Sequence, residues 1–327
     1  MVVAVVGATG LVGRKMIQVL AERNFPLTKL RLFASERSKG KLINFKNQDI
    51  EVEVLDENSF LGVNVALFSS GSDSSKVFAP IAAKSNCFVI DNSSAWRMDK
   101  SVPLVVPEVN PHHLNNESKI IANPNCSTIQ LMVALKPIHT KYKIKRVICS
   151  TYQSITGAGQ SGLDKLNAEL NDNDLNSDTH RIAFNTMFHQ FDDNSFTVEE
   201  NKMINESKKI LDDPNFNMAV TCVRLPIIGG HAESVNFTTE LPFDLDTLKN
   251  ELNNFDGLEV LDDIKNNNYP TPSIVNDKDG VFVGRLRIDE TEVNSAYMWI
   301  VSDNLRKGAA TNAVQIAEKL LEKGFIS

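Results

Sequence analysis

The stretch VVAVVGATGLVGRKMIQVLAER (residues 2–23) joins three patterns, and their order decides the fold. Residues 2–6 are a short, β-branched apolar run, which reads as a strand buried on both faces. Residues 12–23 put Val12, Met16, Val19 and Arg23 on one side of a helix. Between them lies a glycine loop with Gly7, Gly10 and Gly13. Its strict pattern is GxxGxxG rather than GxGxxG. The first glycine allows a tight turn, the second lets a pyrophosphate approach the backbone, and the third lets helix and strand pack closely. Gly7, Thr9, Gly10, Leu11, Val12 and Gly13 are therefore expected to cradle a dinucleotide. The plainer alternative is a glycine-rich βα turn with no ligand; its place at the first βα turn favours the nucleotide.

The alternation continues outward from that unit. Residues 30–33, 63–70, 87–93 and 119–123 read as further short strands, and 72–85 as a helix between two of them. Strands alternating with helices imply βαβ units and a parallel, Rossmann-type sheet. The character changes after Cys126. Residues 146–155, 218–227, 234–241 and 295–303 read as strands of a larger mixed sheet, and 198–211 as a helix. The tail, 303–324, has small residues early and Leu320 and Leu321 late, the pattern of an amphipathic helix. Asparagine clusters at 171–176 and 266–268 read as surface loops. The expected class is α/β: a dinucleotide-binding domain followed by an α+β domain with a mixed sheet.

The second strand speaks to which nucleotide is bound. An NAD enzyme usually carries an acid there to hold the ribose hydroxyls. Here Ala34 and Ser35 occupy that place, followed by Arg37 and Ser38. A guanidinium flanked by the hydroxyls of Ser35 and Ser38 suits a 2′-phosphate, which favours NADP. A one-residue slip would restore an acid, Glu36, and Arg37 alone could equally be a solvated loop charge.

Composition sets the outer limits. The chain has 327 residues, enough for two domains each with its own core. A net charge of −7 gives no general case for a nucleic-acid partner. The apolar N-terminus has no basic leader region, and no apolar run is long enough to span a bilayer, so no membrane partner and a cytoplasmic location are expected. Cys87, Cys126, Cys149 and Cys222 lie far apart with no CxxC, as free thiols in a reducing compartment would. No metal-ligating pattern stands out.

One cysteine has an unusual address. NPNCST (residues 123–128) follows a strand and leads into the helix-like run that begins after it. A helix N-terminus presents free N–H groups and the positive end of the helix dipole, and both favour thiolate. Cys126 is thus a candidate nucleophile, whereas Cys87, Cys149 and Cys222 sit inside apolar strands as small hydrophobes. A thiol with a nicotinamide cofactor suggests aldehyde oxidation through a thioester, or its reverse from an activated acyl group. Such chemistry needs a proton donor and acceptor. Of the histidines at 112, 113, 139, 180, 189 and 231, His231 follows a Gly-Gly turn at a strand end and is the best candidate; the other five read as surface residues. Arg224, seven residues before it, could grip a carboxylate through two parallel hydrogen bonds.

In this order, GATGLVG, SSAWRMD, NPNCSTIQ, TYQSITGAG, EENK and RLPIIGGHAESV closely resemble the bacterial aspartate-β-semialdehyde dehydrogenase family over nearly the whole chain. The resemblance implies NADPH-dependent conversion of L-4-aspartyl phosphate to L-aspartate 4-semialdehyde, with release of inorganic phosphate. That step serves lysine, diaminopimelate, threonine, methionine and isoleucine synthesis. It implies Cys126 as nucleophile, Gln153 as the residue orienting the acyl group, and His231 as acid/base. It further implies Arg224 for the substrate carboxylate, Glu199 for its ammonium, and Arg97, Asn125 and Lys202 for the phosphate. Ser154, Gly157 and Asn304 would line the nicotinamide end. It also implies a NADP-binding domain over 1–125, completed by a C-terminal helix in 304–327, and a catalytic and dimerisation domain over 126–303 that forms a homodimer. Two rivals share the architecture: an N-acetyl-γ-glutamyl-phosphate reductase, whose substrate lacks a free ammonium, and a non-catalytic NADP-binding sensor.

Overall fold

The structure, a computed structural model, describes residues 1–171 and 180–327. Most of the asparagine cluster at 171–176 therefore lies outside the described residues. Chain contacts divide the molecule into two units, Met1–Asn125 with Ala309–Ser327, and Cys126–Gly308.

The first unit begins with β1 (Val2–Val6), α1 (Leu11–Glu22), β2 (Lys29–Ala34), β3 (Leu42–Phe45), β4 (Gln48–Val54), β5 (Val65–Phe68), α2 (Ser72–Lys84), β6 (Phe88–Asp91) and β7 (Ile120–Ala122). Its sheet runs β3-β4-β2-β1-β5-β6-β7. Every pairing is parallel except the β3–β4 hairpin. The two faces of β1 explain its unbroken apolar run. Val3 and Val5 join one core with Leu32, Leu67 and Ile90, while Ala4 and Val6 join another with Phe33, Phe68 and Val89. A parallel sheet covered on both sides needs apolar residues at every position rather than at alternate ones.

The second unit contains α3 (Cys126–Tyr142), β8 (Ile144–Ser154), α4 (Gly159–Leu170), β9 (Met187–Phe188), α5 (Val198–Ile210), β10 (Met218–Leu225), β11 (His231–Thr239), α6 (Leu245–Asn253), β12 (Leu258–Val260), the one-turn α7 (Pro272–Val275), β13 (Val281–Ile288) and β14 (Ser295–Ser302). Its sheet is mixed, in the order β12-β13-β14-β11-β8-β10-β9. Here the strands do alternate. In β8, Val147, Cys149, Thr151 and Gln153 are buried while Ile148 is exposed, and in β10 Val220 and Cys222 are buried while Ala219 and Thr221 are exposed. One face is therefore covered, with α3 packed on β8, β11 and β14, and the other presents Ile148, Tyr152 and Trp299.

The final helix, α8 (Thr311–Glu322), belongs to the first unit and packs on α1, β5 and β6. The tail read as one helix over 303–324 is broken. Residues Arg306–Ala310 form a wider π-helical turn before α8 begins. Asp303 accepts the backbone N–H groups of Leu305 and Arg306, and the buried Arg306 guanidinium pairs with Asp277 and Asp279, which fastens 304–308 to the second unit. Among the described residues, no helix is long and apolar enough to cross a membrane.

Candidate active site

The glycine loop has the geometry its spacing predicts. Gly7 sits at φ 84°, and a Cβ there would stand 2.8 Å from the backbone of Ser69. A Cβ on Gly13 would stand 2.2 Å from the Gly7 carbonyl oxygen, so α1 could not lie this close to the loop with any other residue. Gly10 meets nothing closer than 3.4 Å and caps α1 without a side chain, which leaves that face of the loop open to a bulky anion. This cradle fits a dinucleotide pyrophosphate. At the end of β2, Ala34 is buried, while Ser35, Glu36 and Arg37 are exposed on a 3₁₀ turn. Ser38 is buried and shares a 3.2 Å hydroxyl hydrogen bond with Thr9, tying the turn to the glycine loop. Glu36 pairs with Lys39 at 3.5 Å.

Also in the first unit, Arg97 is buried and donates to the Asn92 carbonyl at 2.8 Å. Asn123 donates to Asn92 Oδ1 and accepts from Asn312 Nδ2, both at 2.7 Å, so the loop that carries the buried Asn125 into α3 is held from two sides.

Within the second unit, three neighbouring strands deliver three side chains in a row. Arg224 on β10 is in register with Gln153 on β8, and His231 opens β11 one residue beyond the Ala232–Tyr152 pair. All three lie toward the N-terminus of α3, whose first residue is Cys126. Cys126 Sγ lies 3.1 Å from His231 Nε2. The Ser154 backbone N–H donates to His231 Nδ1 at 2.9 Å. A backbone N–H cannot accept, so Nδ1 is the bare nitrogen and the ring's proton sits on Nε2, facing the sulfur. Complete burial, reinforced by the nearby Arg224 charge, lowers the His231 pKa to about 3 and keeps the ring neutral.

The other residues close around this pair. Gln153 Nε2 donates to Ser127 Oγ at 2.9 Å and to Glu199 Oε1 at 3.3 Å. Lys202, one turn along α5, donates to Glu199 Oε2 at 3.1 Å. Glu199 is only 7% exposed, so this is not the solvated pair that i,i+3 spacing alone would suggest. The Arg224 guanidinium donates through Nη1 to the Ser154 carbonyl at 2.8 Å, and the backbone N–H of the same residue holds His231. Gly157 lies directly over them; a Cβ there would stand 2.5 Å from Arg224 Nη1 and 3.2 Å from His231 Cε1. Thr156 links Ser154 to the buried Asn304 by hydroxyl hydrogen bonds of 2.7 and 3.0 Å. Burial pushes the thiol of Cys87 up to about 12 and those of Cys149 and Cys222 well above their ordinary value, whereas Cys126 is partly exposed.

Two residues the sequence did not single out belong here. Gly308 abuts the nucleophile candidate, since a Cβ on it would come within 2.9 Å of Cys126 Cβ. Its signal, a small-residue run before the last helix, looked like ordinary helix packing. The other is His189, read from sequence as a surface residue. It follows the two-residue strand β9, which pairs with β10, and its Nδ1 lies 3.3 Å from Arg224 Nη2. A strand so short shows no periodicity to read.

Beneath the row, on the same face of β11 as His231, lies Glu233. It is fully buried, and its oxygens make no hydrogen bond among the described residues. Burial, only partly offset by the Gln130 amide, pushes its pKa well above the carboxyl range. Its proton is thus held more tightly in the folded state than in the unfolded one. The sign follows: its contribution is intact below the ordinary carboxyl pKa and is lost as pH rises toward the folded value, at up to about 1.4 kcal/mol per pH unit. Denaturant unfolding between pH 5 and 8 should show that Glu233→Gln removes this loss; equal slopes in both proteins would mean that the group ionises freely in the fold.

Residues 2–117 match the family model described as semialdehyde dehydrogenase, NAD binding domain, and residues 135–307 the one described as semialdehyde dehydrogenase, dimerisation domain. The chain is 49% identical to the aspartate-semialdehyde dehydrogenase of Aquifex aeolicus, covering 99% of each chain, and 46% identical to that of Bacillus subtilis, covering 99% and 98%. Among solved structures, aspartate semialdehyde dehydrogenase II of Vibrio cholerae complexed with ASA superposes with a TM-score of 0.92 at 44% identity, covering 98% of both chains. The Candida albicans enzyme with NADP gives 0.78 at 26% identity, covering 99% of both.

Proposed function

The chain belongs to the semialdehyde dehydrogenase family, and from that premise we propose that it is an aspartate-semialdehyde dehydrogenase. It reduces L-4-aspartyl phosphate to L-aspartate 4-semialdehyde and releases inorganic phosphate, in the route to lysine, diaminopimelate, threonine, methionine and isoleucine. The observation that carries this reading is the Cys126–His231 contact of 3.1 Å at the start of α3, with Arg224 and Glu199 in the same cluster.

In this reading the Cys126 thiolate attacks the acyl carbon, the carbon–oxygen bond to phosphate breaks, and a thioester forms. The backbone N–H groups at the start of α3 and the Nε2–H of His231 face the oxygen that gains charge. A nicotinamide held beside Ser154, Gly157 and Asn304 would supply the hydride for reduction of the thioester. Breaking the carbon–sulfur bond then frees the aldehyde and restores the thiolate. Arg224 holds the substrate carboxylate and Glu199 its ammonium. Gln153, tied to both Ser127 and Glu199, orients the acyl group between them. Arg97, Asn125 and Lys202 serve the phosphate. A substrate with two anionic groups and one cationic group needs this mixture of charges.

The cofactor is NADP. Gly7, Thr9, Gly10, Leu11, Val12 and Gly13 cradle its pyrophosphate, with Ser35, Arg37 and Ser38 at the 2′-phosphate and Ser154, Gly157 and Asn304 toward the nicotinamide. The buried Ala34 where an NAD enzyme needs an acid, and Glu36 turned to Lys39, support that choice. Arg37→Ala should weaken NADPH about tenfold, with a smaller effect in high salt, and leave NADH nearly unchanged. Equal losses for both nucleotides would assign the 2′-phosphate to other residues. The partly apolar open face of the second unit's sheet supports a homodimer, and four cysteines outside any disulfide support a cytoplasmic location.

The assay that tests the function runs in the oxidative direction, following NADPH absorbance with aspartate semialdehyde, NADP and phosphate. Phosphate-dependent NADPH formation is expected, with N-acetylglutamate semialdehyde inert in parallel. Activity with the N-acetylated aldehyde alone would overturn the substrate and the role of Glu199.

A further inference from the structure

Arg224 does not stand alone at its end of the row. Its Nη2 lies 3.3 Å from Nδ1 of His189, and pairing of Arg224 with Met187 and Val223 with Phe188 brings the segment carrying His189 alongside β10. A guanidinium only donates, so His189 Nδ1 is the acceptor and the neutral ring carries its proton on Nε2. That N–H is buried and has no partner among the described residues. A buried donor without an acceptor is costly, and in a binding site it is commonly completed by the ligand. The charges that act on His189 are those of Arg224, Glu199, Lys202 and Glu200, and His189 in turn acts on His231, so the ring sits within the cluster around Cys126. Burial and the Arg224 charge lower its pKa to about 4, which keeps it neutral.

We propose that His189 is a substrate-binding residue whose Nε2–H donates to the substrate carboxylate held by Arg224, while its Nδ1 fixes the guanidinium in place. The inference rests on the reading of Arg224 as the carboxylate-binding residue. A neutral second donor suits this place. It adds a hydrogen bond without adding charge beside Arg224 and His231, where another cation would be repelled. It also selects a planar anion over a neutral group, because an isostere lacking the acceptor would leave the buried N–H unpaired.

The test is steady-state kinetics of the full-length enzyme with aspartate semialdehyde, using His189→Leu, His189→Asn and His189→Gln. A glutamine amide reaches the position of Nε2, and an asparagine amide that of Nδ1. His189→Leu and His189→Asn should raise KM for aspartate semialdehyde about ten- to a hundredfold, the scale of one hydrogen bond to a charged acceptor. His189→Gln should recover most of that loss, and KM for phosphate and NADP should stay put in all three. Three results would overturn the proposal: KM near wild type in every variant, recovery by asparagine rather than glutamine, or losses spread equally over phosphate and NADP. Arg224→Leu, measured alongside, separates the premises. If it too leaves KM for the aldehyde unchanged, the assignment of the carboxylate to Arg224 falls; if it alone raises KM, only the role of His189 does.

Discussion

Turnover should fall by at least about 10⁴-fold when Cys126 is replaced by alanine, while NADP affinity should stay within a few-fold of wild type. The sulfur is the strongest nucleophile in the second-unit cluster among the described residues: around it lie a neutral imidazole, the Gln153 amide, the Ser127 hydroxyl, a carboxylate paired with Lys202 and a guanidinium. Without it, no covalent acyl intermediate can form. In the proposed reading the pyrophosphate and the 2′-phosphate are held by β1, α1 and the end of β2, all in the first unit. Equilibrium binding of NADP should therefore survive. Stopped turnover with intact binding would also exclude a passive sensor, since only an enzyme has turnover to lose. Near-normal rates in Cys126→Ala would remove the thioester from the mechanism.

The second large effect is at Arg224. Changing it to lysine should lower kcat/KM for aspartate semialdehyde about 10²-fold, roughly 3 kcal/mol, without unfolding the protein. The cause is geometric. The guanidinium uses one nitrogen on the Ser154 carbonyl and another on His189, and lies where only a residue without a Cβ fits at position 157. A lysine ammonium keeps the charge but cannot hold both contacts and still present a fork to a carboxylate. The backbone N–H of Ser154 also holds His231 Nδ1, so a displaced Arg224 would loosen the ring that faces the sulfur. A kcat/KM within threefold of wild type would place the carboxylate elsewhere.

What the sequence made legible, and what it hid, follows from how local each signal is. β1, the glycine loop and α1 were plain, because a doubly buried strand, a tight turn and an amphipathic helix each write their requirement into adjacent residues. The β3–β4 hairpin was missed. Its turn uses Lys46 and Asn47, both at positive φ, and a lysine hides what an Asn-Gly pair would announce. β13 was missed as well. Gly284 and the left-handed Arg285 lie at a register shift against β14, which breaks the alternation that marks a strand. The motifs around Cys126, Gln153, Glu199, Arg224 and His231 were visible as words, but their meeting depends on strand register between β10, β8 and β11, a long-range property. His189 and Gly308 act through contacts made across the fold, with nothing beside them in sequence to mark it.

In the proposed mechanism Cys126 carries the aspartyl group as a thioester. The most direct test mixes enzyme, NADP and aspartate semialdehyde with phosphate left out, then quenches in acid and analyses the Cys126 peptide by mass spectrometry. A burst of NADPH stoichiometric with enzyme, and a single aspartyl group on Cys126 that phosphate discharges, is the predicted result. NADPH formation with no acyl group on Cys126, or an acyl group on another residue, would contradict it.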